Sequence, residues 1–353
     1  MQAIDILKEA ANQNASDVHL VPGASPYFRI DGQLISIPNW PRFTAEQIQQ
    51  FILQLLNDHQ RLRLSQEYCV DFSLNVNETR YRGNAVFQRN GLEAIFRLIP
   101  MKIPTPEDIH LPPIMAEFAN LKSGLVLVTG STGSGKSTTL ACLIDLINDR
   151  KHGNIITIED PIEFLHTNKN CVVSQREIGV HAMAFAPALR YVMRQDPDVV
   201  MVGEMRDLET ISAAVTLAET GHLVLATMHA PDAAQAVERM IDVFPAAQQQ
   251  QIRTQLAGVL HAVIAQSLIP RARERGRVAV REIMIVNRAI GNLIRSGKTH
   301  EIDSAIEIGA REGMISTSRA LLDLMRKGLI DSDEVDAHNA GVHSERVNNR
   351  GND

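Results

Sequence analysis

The fold of this 353-residue chain is decided by one stretch, Gly130-Ser131-Thr132-Gly133-Ser134-Gly135-Lys136-Ser137, which matches the pattern G-x-x-x-x-G-K-[ST]. An apolar run, 125–129, precedes it, and apolar residues recur at helical spacing from Leu140 to Ile147. A glycine-rich loop between a strand and a helix turns successive backbone N–H groups towards one anion, and the helix dipole adds to the attraction. The stretch therefore predicts a phosphate-binding loop (P-loop).

The residue types in this loop fit a nucleoside triphosphate. Lys136 is expected to contact the β- and γ-phosphates, and the Ser137 hydroxyl is expected to bind Mg²⁺. A Gly/Ser-rich surface loop is the alternative, but the flanking strand and helix signals favour the P-loop. The predicted ligands are ATP and Mg²⁺, and the predicted nucleotide-binding residues here are Gly130, Ser131, Thr132, Gly133, Ser134, Gly135, Lys136, Ser137 and Thr138.

Acidic residues follow the next apolar run, 155–158. Ligands of open α/β sheets bind at the carboxyl ends of the strands, so carboxylates at such an end are expected near the phosphates. Capping of a turn before Pro161 is the alternative use. We predict that Glu159 and Asp160 belong to the nucleotide site. Glu163 is a second candidate for the catalytic base, after Glu204.

Two further apolar runs are followed by chemically active side chains. Run 199–202 leads through one glycine into Glu204, a position better suited to orienting an attacking water than to binding Mg²⁺, so Glu204 is the predicted general base. Run 223–227 lies between His222 and His229, which we also assign to the site. His229 is expected to sense the γ-phosphate through a hydrogen bond. An ordinary strand-end charge and packed or surface histidines are the alternatives.

The rest of the chain divides by composition and pattern. Residues 1–99 predict a small α+β domain, and the proline-rich segment 100–123 predicts a linker with a short helix after Pro113. Strand and helix patterns alternate over 124–288, which predicts a mostly parallel sheet covered by helices on both faces. Residues 289–338 are expected to be helical, and 339–353 a flexible tail.

Arginines lie on a predicted hairpin of the small domain. Arg80 and Arg82 share one face of the first strand, because side chains two apart on a strand point the same way, and Arg97 lies on the second strand. A solvated strand face is one interpretation. The other is that these arginines approach nucleotide phosphates across a domain or subunit boundary.

Composition excludes several classes of protein. A net charge of −6 and only 4% aromatic residues disfavour a nucleic-acid motor. Three scattered cysteines without a C-x-x-C pair exclude a zinc knuckle or a redox dithiol. No signal-peptide pattern and no run of about 18 apolar residues is present. We therefore expect a cytoplasmic protein that neither inserts into the membrane nor binds nucleic acid.

The motifs together resemble the PilT-like retraction ATPases of type IV pili, within the type II/IV secretion ATPase superfamily. Segment 157–164 resembles the Asp box of that family, 196–210 its Walker B region and 218–229 its His box, and 15–20 matches in the small domain. The resemblance implies an N-terminal PAS-like domain, a RecA-like ATPase domain, and a homohexamer that hydrolyses ATP to retract pili in twitching motility.

The resemblance also implies partners and site residues. The hexamer would be peripheral to the inner membrane through the platform protein of the pilus machine, and Arg82 and Arg97 would act near the nucleotide. Three positions depart from the family pattern: Ser131 replaces a proline, Ala230 a threonine and Gly291 an arginine.

Other motors remain as alternatives. An accessory retraction ATPase is the nearest, and a pilus assembly or type II secretion ATPase is disfavoured because this sequence has no tetracysteine module. A weak ATPase acting as a regulatory scaffold is the last.

Overall fold

The computed structural model describes residues 3–13, 15–30, 32–77, 79–99, 102–273, 276–333 and 335. The chain forms two compact units. The first comprises Met1–Lys102 together with Glu163–Leu165, and the second comprises Ile103–Ile162 and the chain from His166 onwards. The predicted tail, 339–353, lies outside the described residues.

The first unit is built on a six-stranded antiparallel sheet. Its strands are β1 (Asp17–Leu20), β2 (Tyr27–Ile30), β3 (Gln33–Ser36), β4 (Cys69–Val76), β5 (Thr79–Gln88) and β6 (Gly91–Ile99). They lie in the order β3-β2-β1-β6-β5-β4. The predicted hairpin at 80–99 is therefore confirmed as β5 and β6.

Helices bury the apolar side of this unit. They are α1 (Ala3–Asn12), α2 (Ala45–Leu55) and α3 (Asp58–Glu67). Helix α2 begins at a capping box in which Thr44 and Gln47 satisfy each other's backbone N–H groups. Tyr81, fully buried, donates its hydroxyl to the carbonyl of Leu7 at 2.6 Å, which fixes β5 to α1.

The second unit is built on a seven-stranded sheet. Its strands are β7 (Gly124–Thr129), β8 (Asn154–Glu159), β9 (Val172–Glu177), β10 (Val199–Val202), β11 (Leu223–Met228), β12 (Leu260–Pro270) and β13 (Arg277–Ile285). The order is β13-β12-β7-β11-β10-β8-β9, and all neighbours are parallel except the β12–β13 pair. The sheet is thus mostly parallel, as predicted.

Helices cover both faces of this sheet, which explains the continuous apolar runs of its strands. On β7, Leu125 and Leu127 belong to one buried cluster, and Val126 and Val128 to the other. The helices are α4 (Pro113–Glu117), α5 (Lys136–Arg150), α6 (Phe185–Val192), α7 (Leu208–Glu219), α8 (Ala233–Asp242), α9 (Ala246–Val259), α10 (Arg288–Ser296), α11 (Ile302–Ile308) and α12 (Thr317–Arg326).

Several features differ from the sequence prediction. Strand β9, whose sequence VVSQRE has apolar residues only at its first two positions, was not predicted. Strand β12 was not predicted, because it follows α9 without a break or a turn signal between Val259 and Leu260. Most of the predicted linker, from Ile103 onwards, belongs to the second unit. Its prolines prevent long elements, yet Met115 and Phe118 are buried in the cluster that also holds α5.

Candidate functional site

The predicted P-loop connects β7 to α5, as expected. Gly130, Gly133 and Gly135 have φ values of +145°, +78° and +85°, a region that L side chains rarely adopt. Space is also restricted, since a Cβ on Gly130 would lie 2.2 Å from the carbonyl oxygen of Gln266. Helix α5 begins directly after Gly135, so the loop presents a helix N-terminus.

The reactive side chains of the loop, Lys136 and Ser137, lie at its carboxyl end. Lys136 donates from Nζ to the carbonyl oxygens of Gly130 and Ser131, at 2.9 Å each, so the ammonium lies across the loop. Ser137, in the first turn of α5, is half-buried. Ser131 and Thr132 are exposed. The loop thus combines a cation, a hydroxyl and backbone N–H groups, as phosphate binding requires.

Residues that follow neighbouring strands meet at the same edge of the sheet as the P-loop. Val202 on β10 pairs with Ala226 on β11, and Met228 pairs with Thr129, the residue before the loop. Because the strands are parallel, the residues after them converge. The structure therefore brings Glu204 and His229 together: Oε1 of Glu204 lies 3.0 Å from Nε2 of His229.

Glu204 is held as a carboxylate. Arg206 donates from Nη2 to its Oε2 at 2.6 Å. Burial raises the pKa of Glu204, but the hydrogen bond from Arg206 and the positive charges of His229, Arg206 and Lys136 outweigh burial, so the pKa is lowered. Glu204 is therefore ionised at neutral pH, the form that a general base requires.

Backbone contacts fix this edge. Gly203 donates its N–H to the carbonyl of Ile158 at 2.7 Å, and a Cβ there would lie 3.1 Å from Cα of Glu159. The Thr129 hydroxyl accepts from the N–H of Ala230 at 2.7 Å and donates to its carbonyl at 2.8 Å. The backbone at Ala230 is thus anchored although its side chain is apolar.

The two acids after β8 have different surroundings. Glu159 is 6% exposed, and its Oε1 accepts hydrogen bonds from Thr157 at 2.6 Å and Gln175 at 3.1 Å. These bonds hold its carboxylate within the sheet. Asp160 is exposed, and its charge acts on Arg206, whose pKa is raised by the hydrogen bond to Glu204 and further by Asp160. Asp160 is therefore the acid of this pair that faces the site.

Two predicted site residues lie elsewhere. His222 precedes β11, and its Nδ1 lies 2.9 Å from the carbonyl oxygen of Leu217 and 3.0 Å from the hydroxyl of Thr220. The full length of β11 separates it from His229, so the structure does not bring His222 to the edge that holds the P-loop, and its assignment to the nucleotide site stays a prediction. Glu163 is exposed and is grouped with the first unit, and its catalytic assignment stays a prediction.

Arg82 on β5 and Arg97 on β6 belong to the first unit and lie directly opposite each other in the sheet. Arg97 donates from Nε to Asp17 at 2.9 Å, yet its side chain is 70% exposed. Arg82 is half-buried. Like charges directly opposite one another destabilise a sheet, so the pair costs stability where it stands.

Sequence reasoning missed two residues that contact the P-loop or support it. Gln266 on β12 donates from Nε2 to the carbonyl of Ser134 at 2.6 Å, and Arg281 on β13 donates to Gln266. Both are buried inside largely apolar strands, and their polar character within such runs was the only sequence signal.

The site suits Mg²⁺ bound together with a phosphate. Among the residues that the structure describes, no group of three or more His, Cys, Asp or Glu side chains is placed to hold a metal ion. Mg²⁺ keeps several waters and binds proteins through one or two side chains plus substrate phosphates, so it does not need a cluster of three protein ligands. Ser137 and the carboxylates at the same edge fit that requirement.

This arrangement is that of a P-loop nucleotide-binding α/β protein. The chain belongs to the family described as "Type II/IV secretion system protein", which matches it over residues 2–336. It is 45% identical to the "Type IV pilus retractation ATPase PilT" of Pseudomonas aeruginosa, over 95% of this chain and 97% of the relative. It is 37% identical to the "Type IV pilus ATPase PilU" of the same organism, over 96% of this chain and 88% of the relative.

A solved structure supports the same grouping. "Crystal Structure of the Pilus Retraction Motor PilT and Bound ADP" matches with a TM-score of 0.88 and 42% identity, over 95% of this chain and 96% of the other. The similarity extends over both compact units. That solved protein is described with bound ADP.

Proposed function

We propose that this protein is an ATPase that powers retraction of type IV pili. The observation that carries the proposal is the meeting of the P-loop with Glu204 and His229 at one edge of the parallel sheet. Similarity to PilT over nearly the whole chain supports the retraction role. Among the residues that the structure describes, none of the helices could span a membrane.

Hydrolysis follows from the roles of the site residues. The backbone N–H groups of the P-loop and Lys136 bind the phosphates, while Ser137 would hold Mg²⁺, which neutralises phosphate charge when bound. Glu204 accepts a hydrogen bond from the attacking water and orients it. His229, whose Nε2 lies 3.0 Å from Oε1 of Glu204, would report whether the γ-phosphate is present.

Further proposals concern assembly and conformational change. We infer a homohexamer of a PAS-like first unit and a RecA-like second unit, docked on an inner-membrane platform protein on the cytoplasmic side. Arg82 and Arg97 are exposed or half-buried and in register, which suits delivery of positive charge to a nucleotide. ATP binding would close the units and product release would open them, because a ligand shifts the conformation that it binds best.

An accessory retraction ATPase is the second candidate. In Pseudomonas aeruginosa, where both relatives occur, the chain is more similar to PilT than to PilU, 45% against 37%. That difference favours the principal retraction motor.

Deletion of the gene tests the function. Cells without the protein should extend pili that do not retract, and the wild-type gene should restore retraction while Lys136→Ala should not. Loss of surface pili would instead indicate an assembly ATPase. Normal retraction in the deletion strain would contradict the motor role.

A further inference from the structure

The buried side chain of Gln266, on β12, contacts the P-loop on the side that faces the protein interior. Its Nε2 donates to the backbone carbonyl of Ser134 at 2.6 Å. A loop that turns its N–H groups towards a phosphate directs carbonyls the other way, and a buried carbonyl needs a donor. Ser134 is only 3% exposed, so Gln266 provides what solvent cannot.

The loop also lies very close to this strand. A Cβ on Gly130 would meet the backbone oxygen of Gln266 at 2.2 Å, and one on Gly135 would meet its Nε2 at 2.9 Å. The two fixed glycines of the G-x-x-x-x-G-K-[ST] pattern therefore pack directly on the same residue. The conformation of the P-loop depends on where Gln266 holds it.

The orientation of the Gln266 amide is set by two donors. Its Oε1 accepts from the Thr139 hydroxyl at 2.8 Å and from Nε of Arg281 at 2.9 Å. An arginine N–H can only donate, so a reversed amide would place NH₂ against Arg281 and oxygen against the Ser134 carbonyl. Arg281 thereby fixes which end of the amide faces the loop.

Arg281 is itself held by neutral acceptors. Besides Gln266, it donates from Nη1 to the carbonyls of Ile109 and His110 at 3.1 and 3.2 Å. Burial lowers its pKa to about 10, so the guanidinium stays charged at neutral pH. One side chain therefore joins the P-loop support to residues 109–110, near the point at which the chain enters the second unit.

We propose that Gln266 is a positioning residue for nucleotide binding, and that Arg281 fixes the orientation of its amide. Neither side chain is assigned a contact with the nucleotide; both act through the P-loop. The proposal deepens the proposed ATPase function and rests on it for the identity of the ligand. Its direct measure is nucleotide affinity, which does not require turnover.

Gln266→Glu is the sharpest variant. The carboxylate keeps the side-chain size and still accepts from Arg281 and Thr139, but it cannot donate to the Ser134 carbonyl. The Kd for a fluorescent ADP analogue is expected to rise at least tenfold, the scale of leaving a buried acceptor unpaired. The KM for ATP should rise in parallel, while kcat at saturating ATP stays within about threefold because Glu204 is unchanged.

The matched control is Gln248→Glu, the same change at an exposed position of α9. It should bind the analogue with wild-type affinity. Arg281→Lys is the second test: it keeps the charge, but one ammonium cannot reproduce the planar fork that contacts Gln266 and two carbonyls. It should raise Kd severalfold without a comparable change in kcat.

Two outcomes overturn the proposal. The first is that Gln266→Glu binds the analogue with wild-type affinity; a lowered Tm in that case would make Gln266 structural only. The second is that Arg281→Lys retains wild-type Kd, should Gln266→Glu not fold. A wild-type protein that binds the ADP analogue without hydrolysing ATP would contradict the proposed motor function, yet it would leave the Kd comparison decisive.

Discussion

Nε2 of His229 lies 3.0 Å from Oε1 of Glu204, although the two residues follow different strands. The contact exists because β10 and β11 are parallel neighbours that pair Val202 with Ala226. The other oxygen of Glu204 is bound by Arg206 at 2.6 Å. Oε1 is therefore the oxygen that can accept a proton from an attacking water, and the imidazole lies beside it.

Replacement of Glu204 by Gln should leave ATP binding intact and lower kcat by about 10²-fold or more, the scale of removing a general base. The amide keeps the shape but is far too weakly basic. Turnover and ATP affinity, measured on the same preparation, check this. Glu307→Gln, an exposed glutamate on α11, is the control and should retain wild-type kcat. A kcat within a few-fold of wild type for Glu204→Gln would make Glu163 the next candidate.

The residues at the edge of the sheet that holds the P-loop could be predicted from sequence. A candidate functional residue follows each apolar run, and parallel strands end at the same edge. This pattern anticipated that Glu204 and His229, which follow adjacent strands, lie together, while their catalytic roles stay predictions. It did not anticipate that His222, which precedes β11, lies at the opposite end of that strand from His229. To place a residue at one edge of the sheet, one must know the direction of its strand as well as which strands lie beside it.

Gln266 and Arg281 could not be predicted in the same way. The hydrogen bond from Gln266 to Ser134 joins residues 132 positions apart, and the bond from Thr139 spans 127. Pattern reasoning cannot give such contacts, because they depend on β12 lying beside β7. Strand β12 itself was missed, since its apolar run directly continues the chain after α9.

Glu282, the neighbour of Arg281 on β13, should make stability depend on pH. It is 7% exposed and accepts from the N–H of Ala233 and the hydroxyl of Thr317, at 3.0 Å each. Burial raises its pKa from 4.5 to about 7, and the carboxylates of Asp232 and Asp303 act in the same direction. The folded protein therefore keeps a proton that the unfolded chain has lost.

The sign follows from proton linkage. The stabilising contribution of this proton is complete below about pH 4.5 and is lost as pH rises through about 7, where burial of the ionised carboxylate costs up to about 3 kcal/mol. Glu282→Gln does not ionise. Its Tm relative to wild type should therefore rise from pH 5 to pH 8.5, whereas Glu307→Gln should show no such trend. A difference independent of pH would show that Glu282 does not titrate in this range.

Gly291→Ala should stabilise the protein. Gly291 lies in the interior of α10, where glycine costs about 1 kcal/mol relative to alanine. The added Cβ would lie 3.3 Å from the flexible end of Arg295 and 3.5 Å from the carbonyl of Ala257, so only Arg295 has to shift. Unfolding free energy should rise by up to about 1 kcal/mol.

Gly313→Ala provides the contrast for this prediction. Gly313 has a φ of +90°, and a Cβ there would lie 2.9 Å from Ile114. The same substitution should therefore lower Tm at Gly313 and raise it at Gly291. Equal effects at the two sites would show that the α9–α10 contact has no room for a methyl group.

The last prediction concerns Arg82 and Arg97, where two interpretations differ in what they expect. As solvated hairpin charges, each would change stability by less than about 0.5 kcal/mol when replaced by Ala, without an effect on turnover. As arginines that reach a nucleotide when the ring closes, each stabilises transition-state charge, which is worth about 10³-fold in rate. Their direct opposition on β5 and β6, which costs the sheet stability, favours the second.

Each arginine should be changed to Ala, with Tm, ring assembly and ATPase rate measured on one preparation. Arg97→Ala leaves Asp17 with Arg29, whose Nε lies 3.7 Å away, so the sheet keeps a countercharge for its buried carboxylate and should fold. Arg63→Ala, on exposed helix α3, is the control for loss of a surface arginine. We expect normal melting and assembly with at least a tenfold loss of kcat for Arg82→Ala and Arg97→Ala. If both variants hydrolyse ATP at the wild-type rate, the two arginines are solvated strand charges. Removal of a cation that contacts the transition state would slow the reaction.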